Sequence, residues 1–156
     1  MTLSDDICDF VSGGVSIIVA ARNVQLRPSI SRAKGCRVVR ESVRRLRIIL
    51  SAAQAGDFLD DVRSSGLVAA TFSAPSTHRT LQFKGVDAQI AAIDDEDRAV
   101  MRAYAKAFAI EIDPLGFSGM YAQTFLAAPD DEVAIEFTPS DAFQQTPGPE
   151  AGARLT

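Results

Sequence analysis

Between Val15 and Leu50 one strand-like segment follows another with no helical stretch between them. Val15 to Ala21 (VSIIVAA) is β-branched and almost free of polar groups, and reads as a strand buried on both sides. Val24 to Ser31 alternates. Val24, Leu26, Pro28 and Ile30 face one way, and Gln25, Arg27, Ser29 and Ser31 the other, which is the period of a half-buried strand. Pro28 has no N–H to give to a ladder, so this strand belongs at an edge or beside a break. Lys34-Gly35 reads as a turn, and Cys36 to Arg40 and Leu46 to Leu50 as further strands. Parallel neighbours need a crossover, usually a helix. Strands in direct succession therefore argue for an antiparallel sheet or barrel.

Helical spacing appears three times. Ser4 to Val11 has a capping serine, two acids suited to the positive end of the helix dipole, and Ile7, Phe10 and Val11 on one face. Ser51 to Ser65 carries Ala52, Ala55, Phe58, Leu59 and Val62, with a Ser51/Gln54 capping pattern and Gly66 as the stop. Asp94 to Ile112 begins with acids and presents Val100, Ala103, Tyr104, Ala107 and Phe108 as its apolar stripe. Leu67 to Ser73 returns to strand, followed by a loop at Ala74 to Thr77. Arg79 to Ile93 reads as one long strand with a bulge at Gly85. Leu115 to Ala128 has no clear period, Glu132 to Thr138 is a last strand, and the tail from Thr146 reads as extended over the surface. The expected fold is α+β and mainly β, an antiparallel sheet or barrel with flanking helices.

At 156 residues with 47% hydrophobic side chains the chain suits a single domain over 1–156. Such a chain can bury roughly 68–70% of its unfolded surface, so no disulfide or metal staple is required. Cys8 and Cys36 read as buried or idle thiols. His78 is the only histidine, and no metal-ligand spacing surrounds it, so no metal is expected. The acidic start lacks the basic leader of a secretory signal. The longest apolar stretch, Gly13 to Ala21, is too short to span a bilayer as a helix. These features predict a soluble, cytoplasmic protein without a membrane partner.

Charge is uneven. From Arg22 to Arg47 nine residues are basic and only Glu41 is acidic, while the segment after Asp87 is mostly acidic. The stretch suits a solvated face, ion pairs with the acidic half, or a site for an anion. Arg dominates over Lys, and its fork matches phosphate oxygens. The overall formal charge of −4 and the lack of a recognition motif argue against nucleic acid. A second concentration is TFSAPSTHRTLQFK, where hydroxyls, a guanidinium and turn amides converge within a few residues. It reads either as a polar hairpin loop or as a phosphate cradle. No nucleophile–base pair, Gly-x-Ser-x-Gly elbow, dinucleotide fingerprint or Walker loop is present.

The opening strand GVSIIVAA, the alternating RPSIS segment and above all TFSAPSTHRTLQFKG give the chain a resemblance to the pyridoxamine 5′-phosphate oxidase-like FMN-binding split barrels, over about Phe10 to Gly148. The resemblance implies a six-stranded antiparallel split barrel that forms homodimers, with FMN in a cleft between the subunits. By position, Arg27 and Ser29 match phosphate-facing residues on one strand, and Ser76, Thr77, Arg79 and Thr80 those on another. Thr71 and Ser73 fall near the flavin ring, and Gln82 and Lys84 are further candidates. The implied chemistry is hydride transfer from a reduced nicotinamide to the flavin N5, then on to a small acceptor. One departure matters. The true oxidases grip substrate with a basic C-terminal pattern, whereas this chain ends PGPEAGARLT with only Arg154, so pyridoxal phosphate synthesis is not implied. The family also holds members that bind haem, a deazaflavin or no known ligand. The alternative is therefore a dimer that keeps the barrel without FMN and without enzymatic activity.

Overall fold

The computed structural model describes residues 3–40, 42–117, 120 and 131–155. Helix α1 (Asp5–Val11) is capped by the Ser4 hydroxyl, which accepts from the Ile7 N–H. It leads into β1 (Ser16–Arg22). β2 (Pro28–Arg40) and β3 (Arg44–Ser51) follow, then α2 (Gly56–Ser65). β4 (Val68–Ser73), β5 (Thr80–Gly85) and β6 (Gln89–Ala92) precede the long α3 (Asp95–Ile112), and β7 (Glu132–Phe137) and β8 (Asp141–Gln144) close the described chain.

All pairings are antiparallel, in the order β6-β7-β3-β2-β1-β4-β5-β8. The α+β, mainly antiparallel class expected from the sequence is therefore present. The strand count is corrected: the sheet has eight strands, not six, and among the described residues its end strands β6 and β8 are not joined, so it is not closed.

Three local differences separate the strand segments read along the sequence from those observed. The segments on either side of Lys34-Gly35 are one 13-residue strand. Pro28 to Arg32 pairs with β1, Ala33 to Arg40 pairs with β3, and the register shifts at Ala33/Gly35. What reads as a turn is thus a bulge that re-aims the strand. Gly35 has φ 153°, and a Cβ there would sit 3.2 Å from Val100 Cγ1 on α3. Only glycine lets the helix lie this close over the bend. The long strand expected from Arg79 to Ile93 is two strands. At Gly85 a Cβ would come within 2.4 Å of the Phe137 ring, and beyond it β6 pairs with β7 in the other half of the sheet. β8, which carries too short a pattern to stand out, is paired on one side by β5. On the other side the tail donates from Leu155 N–H to the Ala142 carbonyl and accepts from Gln144 N–H at Ala153. That cover protects a sheet edge.

The core lies between the two halves of the bent sheet and under the helices. Phe58, Phe72, Phe83 and Phe137 are its largest fully buried side chains. β1 alternates buried and half-buried residues and is not buried on both faces. β2 overturns a second expectation. Val24, Leu26 and Ile30 stay 79, 68 and 70% exposed, while Ser31 is buried. The apolar side of the alternation faces outward. Residues 24–27 are not strand at all but a turn. The expected apolar stripe of α3 is also shifted, since Asp97, Tyr104, Phe108 and Ile112 are buried and Ala103 is exposed. The Tyr104 hydroxyl donates to the Val15 carbonyl at 2.8 Å, pinning α3 to the start of β1. The Leu115–Ala128 segment lies largely outside the described residues.

Candidate functional site

β1, β4 and β5 run side by side with Ile18 opposite Thr71 and Thr71 opposite Gln82. The alternate residues Ile17, Val19, Ala70, Phe72, Leu81 and Phe83 are buried in the core. The period of two therefore places Thr71, Ser73, Thr80, Gln82 and Lys84 together on the outward face. Only Lys84 among them is exposed; its ammonium stands 4.9 Å from the Phe143 ring centre. Gln82 Nε2 donates to Thr71 Oγ1 at 3.2 Å, Ser73 and Thr80 share a 2.9 Å hydroxyl bond, and Thr80 Oγ1 lies 3.0 Å from the His78 carbonyl. With Thr80 giving its proton to His78, the Ser73 hydroxyl must donate to Thr80. The uncommitted donors are then the Thr71 O–H and the second Gln82 N–H, with the Gln82 carbonyl beside them.

The β4–β5 hairpin loop carries the next group. His78 sits at its tip with φ 60° and is exposed. Ser76 donates from both its N–H and its hydroxyl to Glu111 on α3. Thr77 Oγ1 accepts from the Arg79 N–H. The Arg79 guanidinium bonds Asp6 on α1 at 2.6 Å and lies 4.4 Å over the Phe10 ring. The loop is thus tied to α1 and α3 by its own side chains.

Arg27 and Ser29 lie elsewhere. Along β1, Ser16 pairs with Ser73 near the hairpin and Arg22 pairs with Pro28 at the far end. Six residues of strand separate the two ends by roughly 20 Å. Within one chain Arg27 and Ser29 therefore do not meet Ser76, Thr77 and Arg79. Arg27 is exposed and has no ion partner among the described residues. Ser29 donates to Asp61 Oδ2 at 2.6 Å, so its hydroxyl offers a ligand only lone pairs. Ser29 also borders a polar groove of about 410 Å³ shared with Gln54, Gly56 and Asp57 at the start of α2. That helix starts at Gly56 after Ala55, with no side-chain cap, which leaves its first N–H groups open to an anion. The Ser51/Gln54 pattern hides this in the sequence: Ser51 does accept from the Gln54 N–H, at 3.4 Å, but one turn too early. The Ala55-Gly56 pair, which cannot cap, is the signal for the true start.

The basic stretch is mostly spent internally. Lys34 pairs with Glu132, Arg40 and Arg44 with Asp5, and Arg45 with Glu136. Arg47 and Arg37 converge on Asp97, which is fully buried, and Arg47 also bonds Glu136 and the Ala92 carbonyl. Burial alone would raise the Asp97 carboxyl. Hydrogen bonds from Arg47 and Arg37 and from the Asp94 backbone outweigh it and bring the group down to about 2. Of the readings open for this stretch, ion pairing with acids describes most of it. Burial pushes the Cys36 thiol well above its ordinary range, so it is no nucleophile. No helix among the described residues is long and apolar enough to cross a membrane.

No family model matches the sequence, and no curated protein matches it. Solved structures do match in three dimensions. HupZ of Group A Streptococcus is 16% identical, with 97% of this chain and 100% of that chain covered at a TM-score of 0.56. A putative pyridoxamine 5′-phosphate oxidase from Lactobacillus delbrueckii is 12% identical over 91% and 93% of the two chains, at 0.54. An F420 reductase is 13% identical over 90% and 98%, at 0.53. At these identities the likeness concerns fold. The chain has the split-barrel fold of the pyridoxamine 5′-phosphate oxidase-related proteins, as its sequence resemblance implied.

Proposed function

We propose that this protein binds FMN, or a closely related flavin, between two copies of itself, and serves as a small flavin-dependent oxidoreductase. The observation that carries this reading is the polar row Thr71, Ser73, Thr80 and Gln82, half-buried on the outward face in a single copy. Its uncommitted donors and the Gln82 carbonyl suit the polar edge of a flavin ring. The cationic end with Arg27 and the uncapped start of α2 suits a phosphate monoester. Thr71 and Gln82 stand at the level of Ile18, four residues along β1 from Arg22 and Pro28, roughly 13 Å, and a twofold copy is one way to set the two ends around one ligand.

The donor set fits the group in kind. When bound, the flavin supplies the redox chemistry, taking a hydride from reduced nicotinamide and passing electrons to a small acceptor. This chain's residues would bind and orient. Thr71 and Gln82 would fix the ring's polar edge, and Arg27 would neutralise the phosphate. Ser29, bonded to Asp61, would hold α2 in place.

A second reading, a split-barrel dimer that binds another ligand or none, has its own support. Arg79, Ser76 and Ser29 already satisfy Asp6, Glu111 and Asp61, and Asp57 borders the groove where a dianion would sit.

One titration separates the two. Purified protein mixed with FMN should acquire a shifted visible flavin band and quench flavin fluorescence, and Gln82→Ala should weaken uptake roughly tenfold through loss of a hydrogen-bonding group facing the ring. Protein that stays colourless in excess FMN overturns the flavin reading and leaves the second.

A further inference from the structure

We propose that a second site, the groove between the β1–β2 turn and the end of β5, binds a small amphipathic carboxylate. The groove has a volume of about 470 Å³, and Ala20, Leu26, Pro28, Leu67, Ala69 and Val86 supply its apolar surface. Small side chains on adjacent strands make the space, since Ala69 stands opposite Ala20.

The turn is built to hold an apolar wall there. Asn23 Oδ1 accepts from the N–H groups of both Gln25 and Arg27 at 3.0 Å, and the Leu26 N–H donates to the Asn23 carbonyl. This lock keeps Leu26 at φ 63° with its side chain 68% exposed. A left-handed leucine is strained, and an exposed one recovers nothing by burial within its own chain. Strain of this kind persists where the surroundings over-determine it, and it gathers at binding sites.

Charge selects the ligand. Arg22 and Lys84 border the groove. Arg22 has no ion partner among the described residues, and Lys84 contacts the Phe143 ring. The one acid on the rim, Asp141, is bonded to Arg154. The groove's own lining therefore offers these cations no free carboxylate. An apolar body carrying one carboxylate satisfies both features. Arg27, Thr71 and Gln82, the proposed flavin contacts, do not line this groove, although Lys84, a flavin candidate by resemblance alone, does.

The probe is decanoate, titrated calorimetrically into the full-length protein, with decanol and acetate as controls. Decanoate should bind at least roughly tenfold more tightly than either. Arg22→Gln, an exposed substitution, should weaken decanoate by roughly tenfold and leave decanol unchanged, as expected for loss of a charge-assisted hydrogen bond. FMN, whether or not it binds, should not compete. Undetectable decanoate binding, equal affinity for decanol, indifference to Arg22→Gln, or displacement of bound FMN by decanoate would each overturn the proposal. The first three leave the flavin reading untouched, and the last merges the two sites.

Discussion

Asp97 shows how much one side chain holds here. It caps α3 reciprocally with Asp94 and receives Arg47 and Arg37 from the sheet. Asn at this position keeps the size and loses the charge, so Arg47 is left with Glu136, and Arg37 with the exposed Asp94 and Glu96, around a buried site that has lost its anion. Removing one partner of a buried pair costs roughly 3–5 kcal/mol, a large share of a total stability of about 5–15 kcal/mol. Asp97→Asn should therefore lower the urea midpoint sharply at neutral pH. An unchanged midpoint would mean that the network is not coupled to folding. In the sequence Asp97 reads only as one of four acids at a helix start. Nothing local distinguishes the acid that meets two arginines brought from β2 and β3.

Among the elements, the contact between α3 and the start of β1 is the most exacting. A Cβ on Gly14 would lie 2.4 Å from the Ala107 carbonyl, and backbone cannot move aside as a flexible side chain can. Gly14→Ala should force α3 outward and cost about 1–3 kcal/mol as an overpacked contact. Gly56 is the control, because a Cβ there meets nothing within 4 Å. Gly56→Ala at the first turn of α2 should be neutral or stabilise by about 0.4–1 kcal/mol. Thermal melts of the two variants should move apart, and equal shifts would contradict this packing. The helices themselves were legible, because caps and spacing are local: Ser4, Asp94 and Gly66 all act where the sequence places them. The shifted stripe on α3 was not, because its helix meets a bend in β2 rather than a flat sheet.

At the level of the whole molecule, acid should be the sensitive direction. The Asp97 carboxyl is held at about 2 in the fold and near 3.9 in an unfolded chain. A depressed carboxyl stabilises the fold above its unfolded value, and that contribution, roughly 2–3 kcal/mol, is lost as pH falls from about 4 towards 2. Stability measured by urea should drop across that interval, and the difference between wild type and Asp97→Asn should shrink with it. A difference that stayed constant down to pH 2 would show that another group governs acid unfolding. Neither cysteine is disulfide-bonded, so reducing agent should leave the melt unchanged.

The order of residues was enough to establish strands in succession, three helices with most of their ends, and Thr80, Gln82 and Lys84 on one side of their strand, since period and capping depend on neighbours a few positions away. It could not reveal that β2 bends and serves both halves of the sheet, that Ile30 and Leu26 face outward, or that Arg79 is answered by Asp6. It also could not show that Arg27 stands far from the hairpin it was expected to join. Each of these depends on segments distant in the chain meeting in space. Alternation specifies two faces of a strand, but which of them is inside is settled by what packs against it.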